Sequence, residues 1–103
     1  MTLVMVLYRA EPERVAENER YIKKVFEQLD GEQPTGLSYA SFKLDDGVSF
    51  VHTVSDVTTD RGTRLGELPA FREFTRAIEE RCDEPAVATR LKEVGSFRAF
   101  IGD

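Results

Sequence analysis

With 103 residues, 41% hydrophobic and 32% charged, the chain has the composition of one globular domain over 1–103, neither low-complexity nor membranous. Its net charge of −5, with basic residues scattered among acidic ones, argues against a nucleic-acid partner, which asks for a basic patch. One cysteine, Cys82, excludes an internal disulfide and a thiolate metal pair, and an unpaired thiol suits a reducing, cytoplasmic compartment.

Met1 to Arg9 reads as a strand, because Leu3 to Tyr8 is apolar without alternation, the pattern of a strand covered on both faces. The same run is too short to span a bilayer. It also lacks the basic flank and cleavage site of a signal peptide, so no membrane association is expected. Glu11-Pro12-Glu13 opens a helix, with proline at its first turn and acids at the positive end of its dipole. Val15, Asn18, Ile22, Val25, Phe26 and Leu29 form one stripe of that helix, and Gly31 is positioned to cap it.

Leu37 to Leu44 and Val48 to Ser55 read as two strands around Asp45-Asp46-Gly47. A two-residue turn at Asp46-Gly47 sets Lys43 opposite Phe50 and Ser41 opposite His52. A three-residue loop sets Phe42 opposite Phe50 and Ala40 opposite His52. The second register collects the apolar residues on one face and is preferred on that ground. The polar stretch from Val57 to Arg64 is a loop. Pro69 starts a second helix, whose stripe is Phe71, Phe74, Thr75, Ile78 and Cys82. Pro85 marks a break and the start of a shorter helix through Leu91, and Val94 to Ile101 is the last strand.

The order is βαββαβ. Two right-handed crossovers put both helices on one face of a four-stranded antiparallel sheet, a ferredoxin-like α+β fold. The other face, with Leu37, Tyr39, Val51 and half of the first strand, has no helix to cover it. A second copy packed sheet to sheet would bury it, so a homodimer is expected.

Two polar residues interrupt apolar surfaces. Asn18 lies in the stripe of the first helix, and His52 is assigned to the helix-facing side of a central strand, beside the small Ala40. Each has a structural reading, as a core residue bonded to nearby backbone, and a functional one. Together they suggest a polar pair in an otherwise apolar small-molecule pocket, with His52 as base or hydrogen-bond anchor and Asn18 stabilising charge on a substrate oxygen. Tyr8 and Tyr21 could edge that pocket, with Ala40 and Phe71 on its walls. Cys82 reads as buried and inert, and Arg98 as a surface charge. One histidine far from one cysteine makes no metal site, and no phosphate loop, nucleophile elbow or dinucleotide fingerprint is present.

Several stretches resemble a known group: Tyr8 leaving the first strand, Glu17-Asn18-Glu19, Gly36-Leu37-Ser38-Tyr39, Asp46-Gly47 before Phe50-Val51-His52, and Leu68-Pro69-Ala70-Phe71 through Phe74. They are similar to the antibiotic biosynthesis monooxygenase-like proteins of the dimeric α+β barrel superfamily. That resemblance implies a homodimer with a ligand between sheet and helices. It implies either a cofactor-independent monooxygenase acting on a small aromatic or apolar substrate, or a non-catalytic ligand-binding or stress-responsive dimer.

Overall fold

The computed structural model describes residues 1–99. Strand β1 (Thr2–Ala10) leads through a single 3-10 turn (Pro12–Arg14) into helix α1 (Val15–Glu32). Strands β2 (Leu37–Lys43) and β3 (Ser49–Asp56) form a hairpin. A second 3-10 turn (Arg64–Glu67) precedes helix α2 (Pro69–Arg76), followed by the short α3 (Ile78–Arg81) and strand β4 (Cys82–Arg90). The four strands make one antiparallel sheet in the order β2-β3-β1-β4. The helices pack on one face of it, the ferredoxin-like arrangement expected from the element order.

Alternation along the strands divides the sheet into two faces. On β3, Phe50, His52, Val54 and Asp56 are buried under the helices. On β1 the same side carries Thr2, Tyr8 and Ala10, all buried, and the partly buried Val4 and Val6. Ile22 and Val25 of α1, Phe74 of α2, and Leu65 and Leu68 complete the core. The outer side of β1 carries Leu3, Met5 and Leu7, of which Leu7 is exposed.

Four local expectations are corrected. The last strand is Cys82–Arg90, so Pro85 lies in a strand and does not start a helix. The strand tolerates it because β4 is at the sheet edge and its register shifts between the Leu7–Val87 and Arg9–Glu84 pairs, a bulge that spares the missing N–H. Residues 94–99 form no strand, and Phe100 and Ile101 lie outside the described residues. Cys82 opens β4, half-buried, instead of closing a helical stripe. Helix α1 runs through Gly31, and its left-handed cap falls on Gln33 (φ 46°).

The hairpin takes the other register, with Lys43 opposite Phe50, Ser41 opposite His52 and Ala40 opposite Thr53. Asp46 holds the turn by accepting from the backbone N–H groups of Val48 (2.9 Å) and Ser49 (2.8 Å), and Gly47 takes the positive φ of 77°. The consequence is large, because a slip of one residue exchanges the faces of a strand. Tyr39 and Leu37 therefore point toward the helices and pack against the core, away from the open face. Ala40 and Phe42 take their place on the outer side, beside Thr53 and Val51.

Candidate functional site: a buried histidine cluster beneath the helices

His52 sits in the middle of β3, 3% exposed, in a nest of aromatic rings. Its ring stacks on Tyr8 (5.3 Å between centroids) and Tyr39 (5.7 Å) and lies against Phe74 (5.4 Å). Both ring nitrogens are engaged. Nε2 lies 2.8 Å from the Tyr8 hydroxyl, while Nδ1 lies 2.6 Å from the Tyr39 hydroxyl and 2.8 Å from that of Ser41. The hairpin register is what brings Ser41 and Tyr39 to it, since both share the face of His52 on the neighbouring strand.

Asn18 projects from α1 into the same cluster, fully buried, and its Nδ2 donates to the Tyr8 hydroxyl at 2.8 Å. The expected pair is thus joined, with Tyr8 as the link between its members. Behind Asn18 stands Arg81, the last residue of α3, also fully buried. Its Nε donates to Asn18 Oδ1 at 3.0 Å and its Nη2 to the Phe74 carbonyl at 2.6 Å. The guanidinium lies over the rings of Tyr21 (4.6 Å) and Phe74 (5.3 Å), which supply a cation–π environment in place of a carboxylate.

Burial sets the protonation states. It depresses His52 to a pKa of about 4, so the imidazole is neutral near pH 7. It raises the Tyr39 phenol to about 12 and the Tyr8 phenol well above its ordinary value, partly offset by the bond from Asn18. At neutral pH the cluster is therefore a run of neutral donors and acceptors ending in one guanidinium.

Beside the cluster lies a cavity of about 140 Å³, walled by Tyr8, Tyr39, His52, Leu65, Phe71 and Phe74. Its accessible wall is entirely apolar. Thr75 and Ala86, both exposed, border it together with Ile78, so its mouth opens between α2–α3 and β4. A wider groove of about 420 Å³ runs outside the core between α1 and β2, past Ser41 and the charged Glu19, Arg20, Lys23 and Lys43.

The structure sorts the sequence-expected site residues. His52, Asn18 and Tyr8 are in direct contact, and Phe71 lines the cavity with an edge-on ring contact to Tyr39 (6.3 Å). Tyr21 stands away from the cavity and covers Arg81. Ala40 is on the opposite side of the sheet, because the register pairs His52 with Ser41. Sequence reading missed Arg81, Ser41 and the inward-facing Tyr39. Arg81 does fall on the stripe of Phe74 and Ile78, at steps of four and three, and a basic residue on an apolar stripe was the available signal.

No helix among the described residues is long and apolar enough to cross a membrane, and no group of three His, Cys, Asp or Glu side chains gathers there as a metal site would need. No family model matches the sequence, and no curated protein matches it. Solved structures do match in shape. A crystal structure of an antibiotic biosynthesis monooxygenase superposes with a TM-score of 0.75 at 16% identity, covering 92% of this chain and all of the other. The protein Rv0793 from Mycobacterium tuberculosis matches at 0.72 and 15% identity, over 92% of this chain and 96% of that one. A variant of SnoaB, a cofactor-independent oxygenase from Streptomyces nogalater, matches at 0.66 and 14% identity, over 92% and 94%. The chain shares the ferredoxin-like α+β fold of the antibiotic biosynthesis monooxygenase-like structures.

Proposed function

We propose that the protein is a homodimer that binds one small aromatic molecule per subunit in the helix–sheet cavity and oxygenates it without a cofactor. The observation that carries the reading is the junction of an apolar cavity of about 140 Å³ with a neutral, buried imidazole that forms part of its wall. A cavity of about 150 Å³ accommodates benzene, so this one suits a single ring. The free thiol of Cys82 suits a reducing compartment such as the cytosol.

The chemistry needs no external reductant when the substrate is a phenol. One phenol and one dioxygen give one quinone and one water. One oxygen atom enters the ring carbon that loses its hydrogen, and the other leaves as water with the hydroxyl and ring protons. His52 would take the hydroxyl proton as general base, and the Tyr39 hydroxyl, whose oxygen accepts within the cluster and whose proton stays free, would donate to the oxygen left negative. The depressed basicity of His52 restricts the substrate. Taking a proton from an ordinary phenol of pKa about 10 would cost about 8 kcal/mol. A hydroxyl conjugated with a carbonyl, and so more acidic, fits better.

A second reading has its own support. Both nitrogens of His52 are already bonded within the cluster, which suits a fixed wall of a binding protein as well as a base. One experiment separates the two. The protein is titrated with single-ring hydroxyaryl ketones in aerobic, cofactor-free buffer while oxygen consumption and the His52 ring resonances are followed. Oxygen consumed mole for mole with substrate supports the oxygenase. Binding without oxygen uptake supports the ligand-binding dimer, and a silent panel removes both readings for this substrate class.

A further inference from the structure

The cluster has a direction, and Arg81 sets it. A guanidinium only donates. Its Nε–H toward Asn18 fixes Oδ1 as the acceptor, which turns the Asn18 amide so that Nδ2 donates to the Tyr8 oxygen. The Tyr8 hydroxyl proton is then free to go to His52 Nε2, which must accept, and the neutral ring carries its own proton on Nδ1. That N–H donates to the hydroxyl oxygens of Tyr39 and Ser41. Four residues on four different elements, α3, α1, β1 and β3, thereby share one sense of donation. The titratable groups facing the imidazole are Tyr8 from β1 and Tyr39 from β2, and α2 presents the ring of Phe74.

Arg81 is costly to bury. It makes no ion pair among the described residues, and its Nη1 is buried without a hydrogen-bond partner. A residue serving only to fill space here would be apolar. We infer that Arg81 is a positioning residue which, through Asn18 and Tyr8, holds His52 in the Nδ1–H tautomer with its Nε2 lone pair directed at the Tyr8 hydroxyl. The atom left as an acceptor, and so the one through which His52 can take a proton, is chosen about two side chains away from the imidazole. The inference rests on the reading of this cluster as the functional site only for its consequence; the tautomer itself is read with no ligand present.

His52 is the chain's sole histidine, so its ring nitrogens are assigned without ambiguity in a long-range 1H–15N correlation spectrum of labelled protein near pH 7. The wild type is expected to be protonated at Nδ1 alone. Asn18→Asp should reverse the chain. A carboxylate paired with Arg81 can only accept from Tyr8, so the Tyr8 oxygen must accept from Nε2–H and the tautomer switches. Arg81→Met should leave the amide free to turn and give a mixture of tautomers, while Arg81→Gln, which retains an N–H donor without the charge, should restore the wild-type pattern. A wild-type ring protonated at Nε2, or an Asn18→Asp ring still protonated at Nδ1, overturns the inference. So does a folded Arg81→Met protein with a pure Nδ1–H ring. If Arg81→Met does not fold, the other spectra decide. A silent substrate panel leaves this result untouched, and a wrong tautomer leaves substrate turnover untouched, so the two failures are distinguishable.

Discussion

The Tyr8 hydroxyl lies 2.8 Å from His52 Nε2, joining β1 and β3 by a side-chain bond on the face where their backbone ladder already pairs Tyr8 with Phe50 and Val6 with His52. The phenol is the one group that touches both halves of the cluster, since it also receives the Asn18 amide at 2.8 Å. The core at this point is held by polar bonds inside an aromatic stack, and its members depend on one another.

Tyr8→Phe should therefore cost more than the loss of one hydrogen bond. The ring and its stacking on Phe50 (5.4 Å) are retained, but Asn18 Nδ2 and His52 Nε2 each lose a partner in the core. An orphaned buried polar group costs about 1–3 kcal/mol, so with two of them the expected loss is about 2–6 kcal/mol by urea unfolding. A loss below about 1 kcal/mol would mean that water reaches the cluster.

What the sequence made legible were the interruptions. Asn18 in the α1 stripe and His52 on a central strand stand out because burying an amide or an imidazole demands partners, and those partners are present. The hairpin register was not legible, because hydrophobic pattern favours pairing Phe42 with Phe50. The fold instead leaves Phe42 on the outer face and brings Ser41 and Tyr39 to His52. Satisfying a buried imidazole and capping the turn through Asp46 outweigh the gathering of apolar side chains. Strand β4 was missed for a similar reason. Its Pro85 and its exposed, weakly alternating residues read as a helix start, and only the edge position and the bulge make it a strand.

The acid limb of the stability profile should bear the mark of His52. Its pKa in the fold is about 4 against an ordinary 6.5, so between those values the unfolded chain binds more protons. Stability is then fully present above about pH 6.5 and falls as the pH drops toward 4. The loss attributable to this one ring is about 3 kcal/mol. Other groups titrate in the same region, so the comparison is with His52→Gln, whose urea midpoint should vary less over this window. Parallel profiles for the two proteins would place a charged or solvated imidazole in the fold.

Gly36 precedes β2, the strand that presents Tyr39 and Ser41, and takes a φ of 83°. A Cβ there would stand 2.8 Å from Val57 Cγ2 and 3.1 Å from Thr58 Cγ2. Gly36→Ala is expected to lose about 1–3 kcal/mol, combining left-handed strain with the contact. Gly36→Asn tolerates the backbone angle better but meets the same neighbours. An asparagine variant as unstable as the alanine one identifies the contact as the dominant cost, and full recovery identifies the angle. Thermal unfolding of the pair measures this directly.

The outer face of the sheet provides the test of assembly. Leu7 is 42% exposed at its centre and Val87 on β4 is 59% exposed beside it, with Val51 pairing Leu7 from the other side. Adjacent apolar side chains across three strands form the kind of surface that a second copy buries through a two-fold interface. Light scattering should give the wild type twice the 11.7 kDa of one chain, and Leu7→Asp should return it to one. Because Leu7 points away from the helices, the variant should keep its fold and the His52 ring spectrum of the wild type. A wild type that runs as a monomer at micromolar concentration removes the dimer. A Leu7→Asp protein that stays dimeric moves the interface to another surface of the molecule.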